Sequence, residues 1–291
     1  MMKSQSAMEY PMTYGWAILI IAVVLSVLFQ LGVFSSGNFQ PRAQAGACQV
    51  SRTVAGISLE GQCNGMLPQY VAQFNWGSTS GSGNFLSMPT PLSILGSNTI
   101  CNITVAAWSY DAGMDPSGNL GGTVSLYGGS GSTGWLDVEY DDNNLRFETR
   151  NSLAGNAAGI AGSYKGTWLF VVSEISNQKP VGYINGLQVW SSSPDIGCIG
   201  FAGTRVGAWD KNFNGYISNI QIYNVSLSPA EVNALYLEGI GGAPIRPQNL
   251  IAWWPFNGNL NDYSGLETPG TPGVTGNVGY SGSWTSTYTA P

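Results

Sequence analysis

Histidine is absent from all 291 residues of this chain. Without an imidazole the chain cannot build a Ser-His-Asp or Cys-His catalytic site, and a histidine-ligated zinc or iron centre is excluded for the same reason. These classes of enzyme and cofactor are therefore excluded. We expect a protein that is not an enzyme and that needs no catalytic cofactor, with a glycosidase that uses carboxylates as a lesser alternative.

Charged side chains are also scarce, at 9% of the sequence, and they sum to a net charge of −6. No basic patch is present, so nucleic acid is not expected as a partner. Glycine (40), tryptophan (10) and tyrosine (14) are abundant instead. This composition indicates a β-rich extracellular domain with many turns rather than a helical cytosolic enzyme.

Cysteine occurs four times, at Cys48, Cys63, Cys101 and Cys198, without C-x-x-C spacing. In an oxidising exterior this pattern favours two disulfides over a metal site. Three pairings are possible. We favour Cys48 with Cys63, which closes a short loop, and Cys101 with Cys198, which would join two strands of the globular domain.

A long uncharged segment lies near the start of the chain. No charged residue occurs from Pro11 to Pro41, and Gly15 to Phe34 is apolar and long enough, as a helix, to cross roughly 30 Å of hydrocarbon. Glu9 lies two residues before this segment, where burying a carboxylate in lipid is energetically costly unless it gains a partner. The sequence predicts a membrane-spanning helix in the precursor, with Glu9 as a functional candidate.

The residues around this carboxylate resemble a known family. KSQSAMEY at residues 3–10, followed by TYGWAILIIAVVL at 13–25, is similar to the N-terminus of archaeal type IV pilin-like subunits. The resemblance implies that a prepilin peptidase removes a class III leader, residues 1–4, by cutting between Ser4 and Gln5. The helix of residues 5–34 would remain and become the filament core. Glu9, the fifth mature residue, would pair with the terminal amine of Gln5 in a neighbouring subunit.

Two other interpretations of this segment stay open. The helix could be a permanent single-pass anchor of a monomeric surface protein. It could also belong to an ordinary signal peptide, cut after the small-x-small triplet Ala43-Gln44-Ala45. A mature chain that starts at Gly46 would exclude filament formation through the helix.

The rest of the chain has an all-β pattern. Residues 35–65 are predicted to form a stalk and the first strands, and short alternating segments separated by turn residues follow. Asn185-Gly186 is a hairpin signal. Ser228, Pro229 and Glu231 predict the start of one short helix, which Gly239 ends. The predicted strands are 103–110, 123–127, 135–140, 145–149, 168–172, the hairpin 181–190, and 214–224.

The order of these segments supplies a second resemblance, over residues 66–240. The pieces FLSMP (85–89), ITVAAW (103–108), GTW (166–168), YING (183–186), FNGYI (213–217) and IYNVSLS (222–228) resemble a laminin-G-like or concanavalin A-like jelly roll. The expected fold is therefore mainly β, a sandwich behind an N-terminal helix. In the tail of residues 241–291, Asn249 to Gly265 resembles the segment that usually opens such a domain. We expect it to add strands to the same sandwich or to pair with a neighbouring subunit.

Three carboxylates alternate along one predicted strand, at Asp137, Glu139 and Asp141. Glycosidases of this fold place an acid and a nucleophile on a strand in this way, and a retaining pair needs carboxyl groups roughly 5 Å apart. The simpler interpretation has Leu136, Val138 and Tyr140 in the core while the acids face water. Arg146, Glu148 and Arg150 on the next strand would then be cross-strand partners.

Other candidate sites follow from the jelly-roll resemblance or from composition. Relatives often hold Ca²⁺ at a loop rim, and the loop-edge candidates are Asp111, Asp115, Asp141, Asp142 and Asp210. Aromatic faces stack on sugars, and the candidates near turns or strand ends are Trp76, Trp190, Trp209, Trp253 and Trp254. Trp108 and Trp168 are expected in the core. Asn102 and Asn224 begin glycosylation sequons.

Together these patterns predict a structural subunit of an extracellular archaeal type IV pilus-like filament at the cell surface. The chain would polymerise with itself through its helix and display a laminin-G-like domain for adhesion, with surface glycans as ligands. The first alternative is a membrane-anchored surface lectin, and the second is a concanavalin-fold glycosidase.

Overall fold

The chain forms two compact units, Met1–Arg42 and Ala43–Pro291. The computed structural model describes residues 17–26, 49–53, 56–60, 67–75, 85–88, 99–113, 121–127, 134–141, 144–151, 155–192, 197–201, 203–207, 213–266 and 284–291.

In the first unit, residues 17–26 form helix α1. Its large aliphatic side chains are exposed, from 65% for Ile18 to 44% for Leu25. Among the residues that the structure describes, no helix has the length and hydrophobicity that a membrane crossing requires. The rest of the predicted helix 5–34 lies outside the described residues, as do Ser4, Gln5 and Glu9.

The second unit is built from strands, with one α-helix near its end. The first strands are β1 (Gln49–Thr53), β2 (Gly56–Glu60), β3 (Val71–Phe74), β4 (Leu86–Met88), β5 (Thr99–Ile100), β6 (Ile103–Asp111), β7 (Gly121–Gly122), β8 (Val124–Tyr127), β9 (Gly134–Asp141) and β10 (Asn144–Asn151). They are followed by β11 (Gly155–Ala161), β12 (Trp168–Ser176), β13 (Lys179–Ile184), β14 (Leu187–Ser191), β15 (Ile199–Gly200), β16 (Gly203–Val206), β17 (Gly215–Tyr223), helix α2 (Pro229–Glu238), a 3₁₀ turn (Pro247–Asn249), β18 (Leu250–Trp254) and β19 (Trp284–Thr285).

Two antiparallel sheets make a β-sandwich that is consistent with a jelly roll. The seven-stranded sheet has the order β11-β10-β9-β8-β16-β4, with β7 also paired to β9. The eight-stranded sheet has the order β14-β13-β12-β6-β17-β3-β19, with β18 paired to β17. Two small two-stranded sheets, β1-β2 and β15-β5, complete the described pairings.

The main core lies between the two large sheets, because both contribute buried side chains to one apolar cluster. On β9 the core residues are Leu136, Val138 and Tyr140, as the alternation predicts. A second apolar cluster covers the other face of the eight-stranded sheet, beneath α2. That sheet is therefore buried on both faces.

The predicted hairpin turn and the predicted helix cap are both present in the structure. Asn185 and Gly186 have φ angles of 50° and 79° and connect β13 to β14, as a tight hairpin turn requires. Ser228 caps α2, with the reciprocal Ser228–Glu231 hydrogen bonds of a capping box, and Gly239 ends the helix at φ 79°.

A buried carboxyl group holds the loop before α2 against the sheet. Oε2 of Glu174, a residue on β12 that is 1% exposed, accepts hydrogen bonds from Thr104 Oγ1 and from the backbone N–H of Leu227, both at 3.1 Å. Burial raises the pKa of Glu174 to about 7, although both donors favour the ionised form.

The C-terminal tail completes the sandwich of its own chain. β18 pairs with the second half of β17, where Ile220 lies opposite Trp254, and β19 pairs with β3. All five residues of β18 are buried. The domain therefore extends past the predicted boundary at residue 240.

One disulfide lies within the described residues and joins Cys101 to Cys198. It stands at the ends of β5 and β15, where Ile100 is paired with Ile199. This is one of the two expected bonds. Cys48 and Cys63 lie outside the described residues, so their pairing stays a prediction.

Candidate functional site

A cavity of about 640 Å³ opens on the outer face of the eight-stranded sheet, between α2 and the last residues of the chain. This volume is in the range of small-molecule sites. We call it the aromatic cavity. Its lining residues are Leu67, Trp108, Tyr110, Gly166, Thr167, Trp168, Asn185, Tyr236, Leu237, Gly239, Ile240, Thr289, Ala290 and Pro291.

Rings from three elements meet at this cavity. Trp108 on β6 stacks on Tyr236 of α2, with ring centroids 5.8 Å apart and an interplanar angle of 23°. Tyr110, two residues further along β6, packs against Trp168 of β12 at 5.7 Å. Because successive side chains on a strand alternate between faces, Trp108 and Tyr110 point to the same side of the sheet.

Polar groups stand among these rings. Trp168 Nε1 donates a hydrogen bond to the carbonyl of Thr289 at 2.6 Å, so the end of the chain forms one wall. Asn185 Oδ1 accepts from the Phe170 N–H at 3.0 Å, which fixes the orientation of this amide at the rim. Trp108 Nε1 is buried and makes no hydrogen bond.

The rim of the cavity carries two exposed leucines. Leu67 is 56% exposed and Leu237 is 72% exposed. Aromatic faces, a few oriented polar groups and an apolar rim are the combination that binding sites for small molecules present. Among the described residues that line the cavity, none has a carboxylate, thiol or amine side chain.

A second group of polar residues lies on the outer face of the seven-stranded sheet. One carboxylate oxygen each from Asp137, Glu139 and Glu148 lies within 4.8 Å of the other two. Asp137 is 0% exposed and Glu139 is 2% exposed. The expectation that these acids face water is therefore wrong, since both are buried on the face opposite the core. We call Asp137, Glu139 and Glu148 the carboxylate cluster.

Arg146 bridges two members of this cluster. Its guanidinium contacts Glu139 Oε2 at 3.1 Å and Glu148 Oε2 at 2.9 Å. The predicted cross-strand partnership of β9 and β10 is thus present. The guanidinium therefore occupies carboxylate oxygens that a sugar substrate would have to approach. Burial and ion pairing together make this a poor catalytic pair for a sugar substrate.

The predicted ligand tryptophans are distributed differently from the expectation. Trp253 and Trp254 are 2% and 1% exposed, so they are core residues and present no surface to a sugar. β18 places one of them in each apolar cluster, which only the pairing with β17 could reveal. Trp190 is half-buried and stacks on Phe147 at 6.0 Å. Trp76 and Trp209 lie outside the described residues.

Two of the five calcium candidates fall within the described residues. Asp111, at the end of β6, is 2% exposed; its Oδ1 accepts from the Gly113 N–H at 3.1 Å and its Oδ2 makes no hydrogen bond. Burial raises the pKa of Asp111, against the lowering effects of the Gly113 N–H and of Lys165. Asp141 is half-buried at the end of β9. Asp115, Asp142 and Asp210 lie outside the described residues.

Both sequon asparagines use their side-chain oxygens as acceptors. Asn102 Oδ1 accepts from the Asn177 N–H at 2.7 Å, and Asn224 Oδ1 accepts from Asn249 Nδ2 at 3.1 Å. Both residues are partly exposed. Glycosylation at either position stays a prediction.

Sequence reasoning missed the aromatic cavity. Trp108 and Trp168 are buried as expected, with 3% and 8% of their surface exposed, yet both line the bottom of the cavity. Tyr236, Asn185 and Thr289 come from a helix, a hairpin turn and the chain end. The signal in the sequence is the continuous apolar run of β6. Its aromatic residues Trp108 and Tyr110 lie on one face, while Val105 and Ala107 lie on the other, which indicates a strand covered on both faces.

The Laminin_G_3 family, described as the concanavalin A-like lectin/glucanases superfamily, matches residues 80–233. No curated protein matches the chain. Among solved structures, a Bacteroides ovatus protein described as carbohydrate-binding is 14% identical, with 74% of this chain and 61% of that chain covered and a TM-score of 0.50. At this identity the similarity concerns the fold alone.

Two further solved structures have lower TM-scores. The SAP-like pentraxin from Limulus polyphemus is 13% identical, over 57% of this chain and 81% of that chain, with a TM-score of 0.43. The CBM40 domain of a Ruminococcus gnavus sialidase, solved with α2,3 sialyllactose, is 14% identical, over 58% of this chain and 100% of that chain, also with a TM-score of 0.43.

Proposed function

The chain belongs to the concanavalin A-like lectin/glucanases superfamily, and we propose that it is a non-enzymatic cell-surface protein whose sandwich domain binds glycans in the aromatic cavity. The observation that carries this proposal is that Tyr110 and Tyr236, both half-buried, line one cavity of about 640 Å³ above the buried ring of Trp108. Sugar rings have apolar faces that stack on aromatic rings, and their hydroxyls need oriented polar partners. Asn185 and Thr167 line the cavity, and the Asn185 Nδ2 amide and the Thr167 hydroxyl oxygen are the groups that we propose for this role.

Loss of the Tyr236 ring is expected to weaken glycan binding about tenfold. Tyr236 is half-buried and stacks on Trp108, so Tyr236→Ala removes one aromatic face from the cavity. An aromatic contact contributes about 0.5–1.5 kcal/mol beyond its buried area, and about 1.4 kcal/mol corresponds to a tenfold change in affinity. The measurement is a glycan array with the full chain, followed by titration of the best-binding sugar.

Two matched variants accompany this experiment. Tyr236→Phe keeps the ring and should bind as the unchanged chain does. Trp190→Phe alters a tryptophan outside the cavity and should also leave the affinity unchanged. A loss of binding in Trp190→Phe alone would show that the glycan site includes Trp190 and not the aromatic cavity. A complete lack of hits on the array would reject glycan recognition.

We further propose that this domain is displayed on a type IV pilus-like filament. The support is the pilin-like sequence of residues 3–25 and the apolar surface of α1, whose side chains are exposed on the isolated chain. A helix that is apolar all round needs apolar neighbours on every side. Packing against the same helix of other subunits would supply them, and Glu9 would then pair with the terminal amine of Gln5.

The filament proposal predicts a mature chain that begins at Gln5. Material sheared from the surface of cells that make the protein should contain filaments in electron micrographs, and mass spectrometry should find Gln5 at the N-terminus. An intact Met1 in membranes without filaments would favour the anchored surface lectin. A start at Gly46 would indicate an ordinary cleaved signal.

A calcium ion at the loop rim forms part of the proposal, with Asp111 as its described ligand. The buried Oδ2 of this residue makes no hydrogen bond, and an ion there would give it a partner. The ion would hold the β6 end of the rim in place, and it would take no part in covalent chemistry.

A further inference from the structure

The carboxylate cluster has the dimensions of a cation site. Its three oxygens lie within 4.8 Å of one another, and an ion about 2.4 Å from each of two oxygens allows them to be at most about 4.8 Å apart. For one ion to lie about 2.4 Å from all three oxygens, they must be no more than about 4.2 Å apart, so a small rotation of the partly exposed Glu148 side chain would complete the coordination. All donor atoms are carboxylate oxygens, which suit hard divalent cations such as Ca²⁺.

Paired strands hold these ligands in position. Asp137 on β9 is directly opposite Glu148 on β10, and Glu139 is opposite Arg146. Directly opposite residues on a face have Cβ atoms about 5 Å apart, so the spacing of the carboxylates follows from the register of the ladder. A site on two adjacent strands of a sheet is more rigid than a site on a loop.

A buried hydroxyl next to the cluster points independently to a ligand. Ser125 on β8 is 0% exposed, and its Oγ makes no hydrogen bond. Val124 and Leu126 on either side of it are core residues, so Ser125 faces the opposite side of the sheet. The β8–β9 register pairs Leu126 with Leu136, and one further step along this ladder would bring Ser125 opposite Asp137. A buried hydroxyl without a partner costs about 1–3 kcal/mol, and coordination of an ion would remove this cost.

The charges of the cluster fit a divalent ion. Arg146 offsets one of the three carboxylate charges and uses Oε2 of both glutamates. Two negative charges remain among these four side chains. Two further arginines lie on neighbouring positions of the sheet: Arg150 is opposite Trp135 on the β9–β10 ladder, and Arg205 on β16 is opposite Ser125, with its guanidinium 5.6 Å from the ring centroid of Phe85.

We infer that Asp137, Glu139 and Glu148, with the hydroxyl of Ser125, bind one divalent cation of the calcium class on the outer face of the seven-stranded sheet. The site is distinct from the loop-rim position at Asp111, and it does not depend on glycan recognition. Its ion would fasten β8, β9 and β10 together.

Terbium luminescence tests this inference directly, because an indole stands next to the site. Trp135 precedes Asp137 by two residues on the same face of β9, and this spacing is about 7 Å. Tb³⁺ added to the chelator-treated full chain should emit when tryptophan is excited, and Ca²⁺ should displace it. Binding of Ca²⁺ should also raise the Tm of the chain. Trp135→Phe should lose most of the Tb³⁺ emission but keep this rise in Tm, because the variant removes the indole and none of the ligands.

Substitution of one ligand residue should lower the affinity for the ion while the chain still folds. Glu148 is partly exposed, so Glu148→Gln is the first variant, and we expect its Tb³⁺ affinity to fall at least tenfold. Circular dichroism verifies that the variant is folded. Asp141→Asn, on the same face of β9 but outside the cluster, should leave the emission unchanged. Asp111→Asn at the loop rim should leave unchanged the part of the emission that depends on Trp135.

Two results would overturn the inference. One is the absence of sensitised emission together with a Tm that does not respond to Ca²⁺, which would make the cluster an ion-pair network around Arg146. The other is emission that survives Glu148→Gln but disappears in Asp111→Asn, which would assign the ion to the loop rim.

Discussion

A chain that ends at Gly242 is expected not to fold into the sandwich. The truncation removes β18, whose residues Leu250 to Trp254 are buried and contribute to both apolar clusters. Loss of a buried tryptophan side chain alone costs about 3–5 kcal/mol, and two are lost here. Because domains are stable by only about 5–15 kcal/mol, this deletion removes most or all of the stability.

The same truncation also breaks polar contacts in the middle of the eight-stranded sheet. Trp253 Nε1 donates to Asn219 Oδ1 at 2.8 Å, and Ser218 Oγ donates to the carbonyl of Pro255 at 3.0 Å. The Asn219 backbone N–H also donates to the carbonyl of Pro255 at 3.1 Å. Ser218 and Asn219 are buried on β17, so the Ser218 hydroxyl and this N–H would be left unsatisfied, whereas Asn219 Oδ1 would still accept from Gln221 Nε2 at 3.1 Å.

Near-UV circular dichroism and urea unfolding measure the outcome. We expect no near-UV signal and no cooperative transition for the chain that ends at Gly242. A chain that ends at Ser286 is the matched control, since it retains β18 and β19 and should unfold cooperatively. Equal unfolding midpoints for the full chain and the chain that ends at Gly242 would show that β18 is dispensable.

Removal of the Cys101–Cys198 disulfide is expected to lower the free energy of unfolding by about 4–5 kcal/mol. The bond joins residues 97 positions apart. Cross-linking a loop of about 100 residues reduces the entropy of the unfolded chain by an amount equivalent to about 4.7 kcal/mol at 25 °C. The linked strands β5 and β15 pair over two residues, Thr99 with Gly200 and Ile100 with Ile199.

The double variant Cys101→Ser/Cys198→Ser avoids a free thiol and should shift the urea midpoint to much lower concentration. Cys48→Ser/Cys63→Ser is the comparison, because the bond predicted there closes a far shorter loop and should contribute less. A larger loss in the second variant than in the first would contradict the loop-length account. Peptide mapping of the oxidised chain checks both pairings.

Much of the local structure could be read from the sequence because its signals are local. The Asn185-Gly186 turn requires positive φ angles, which these two residues adopt at low cost. Ser228 and Glu231 satisfy the first amides of α2 within one turn. On β9, alternation alone assigns Leu136 to the core and Asp137 to the other face.

Burial on that other face could not be predicted. Alternation predicts the face on which Asp137 and Glu139 lie, but it does not predict which residues cover that face. The sequence alone therefore indicates that these two side chains are exposed to solvent. The error for Trp253 and Trp254 has the same origin. An aromatic pair near the end of a chain looks exposed until its strand is placed beside β17, in the interior of the eight-stranded sheet.

By itself the sequence determined the fold class and the hairpin and helix positions, since turn chemistry and side-chain periodicity act over a few residues. It left three cysteine pairings possible, and the Cys101–Cys198 bond follows from the pairing of β5 with β15. It also determined the apolar N-terminal segment and its pilin-like flank. Only the tertiary structure decided the aromatic cavity and the carboxylate cluster. Each joins side chains from separate strands, a helix or the chain end, and their proximity depends on strand order and register, which a linear pattern does not encode.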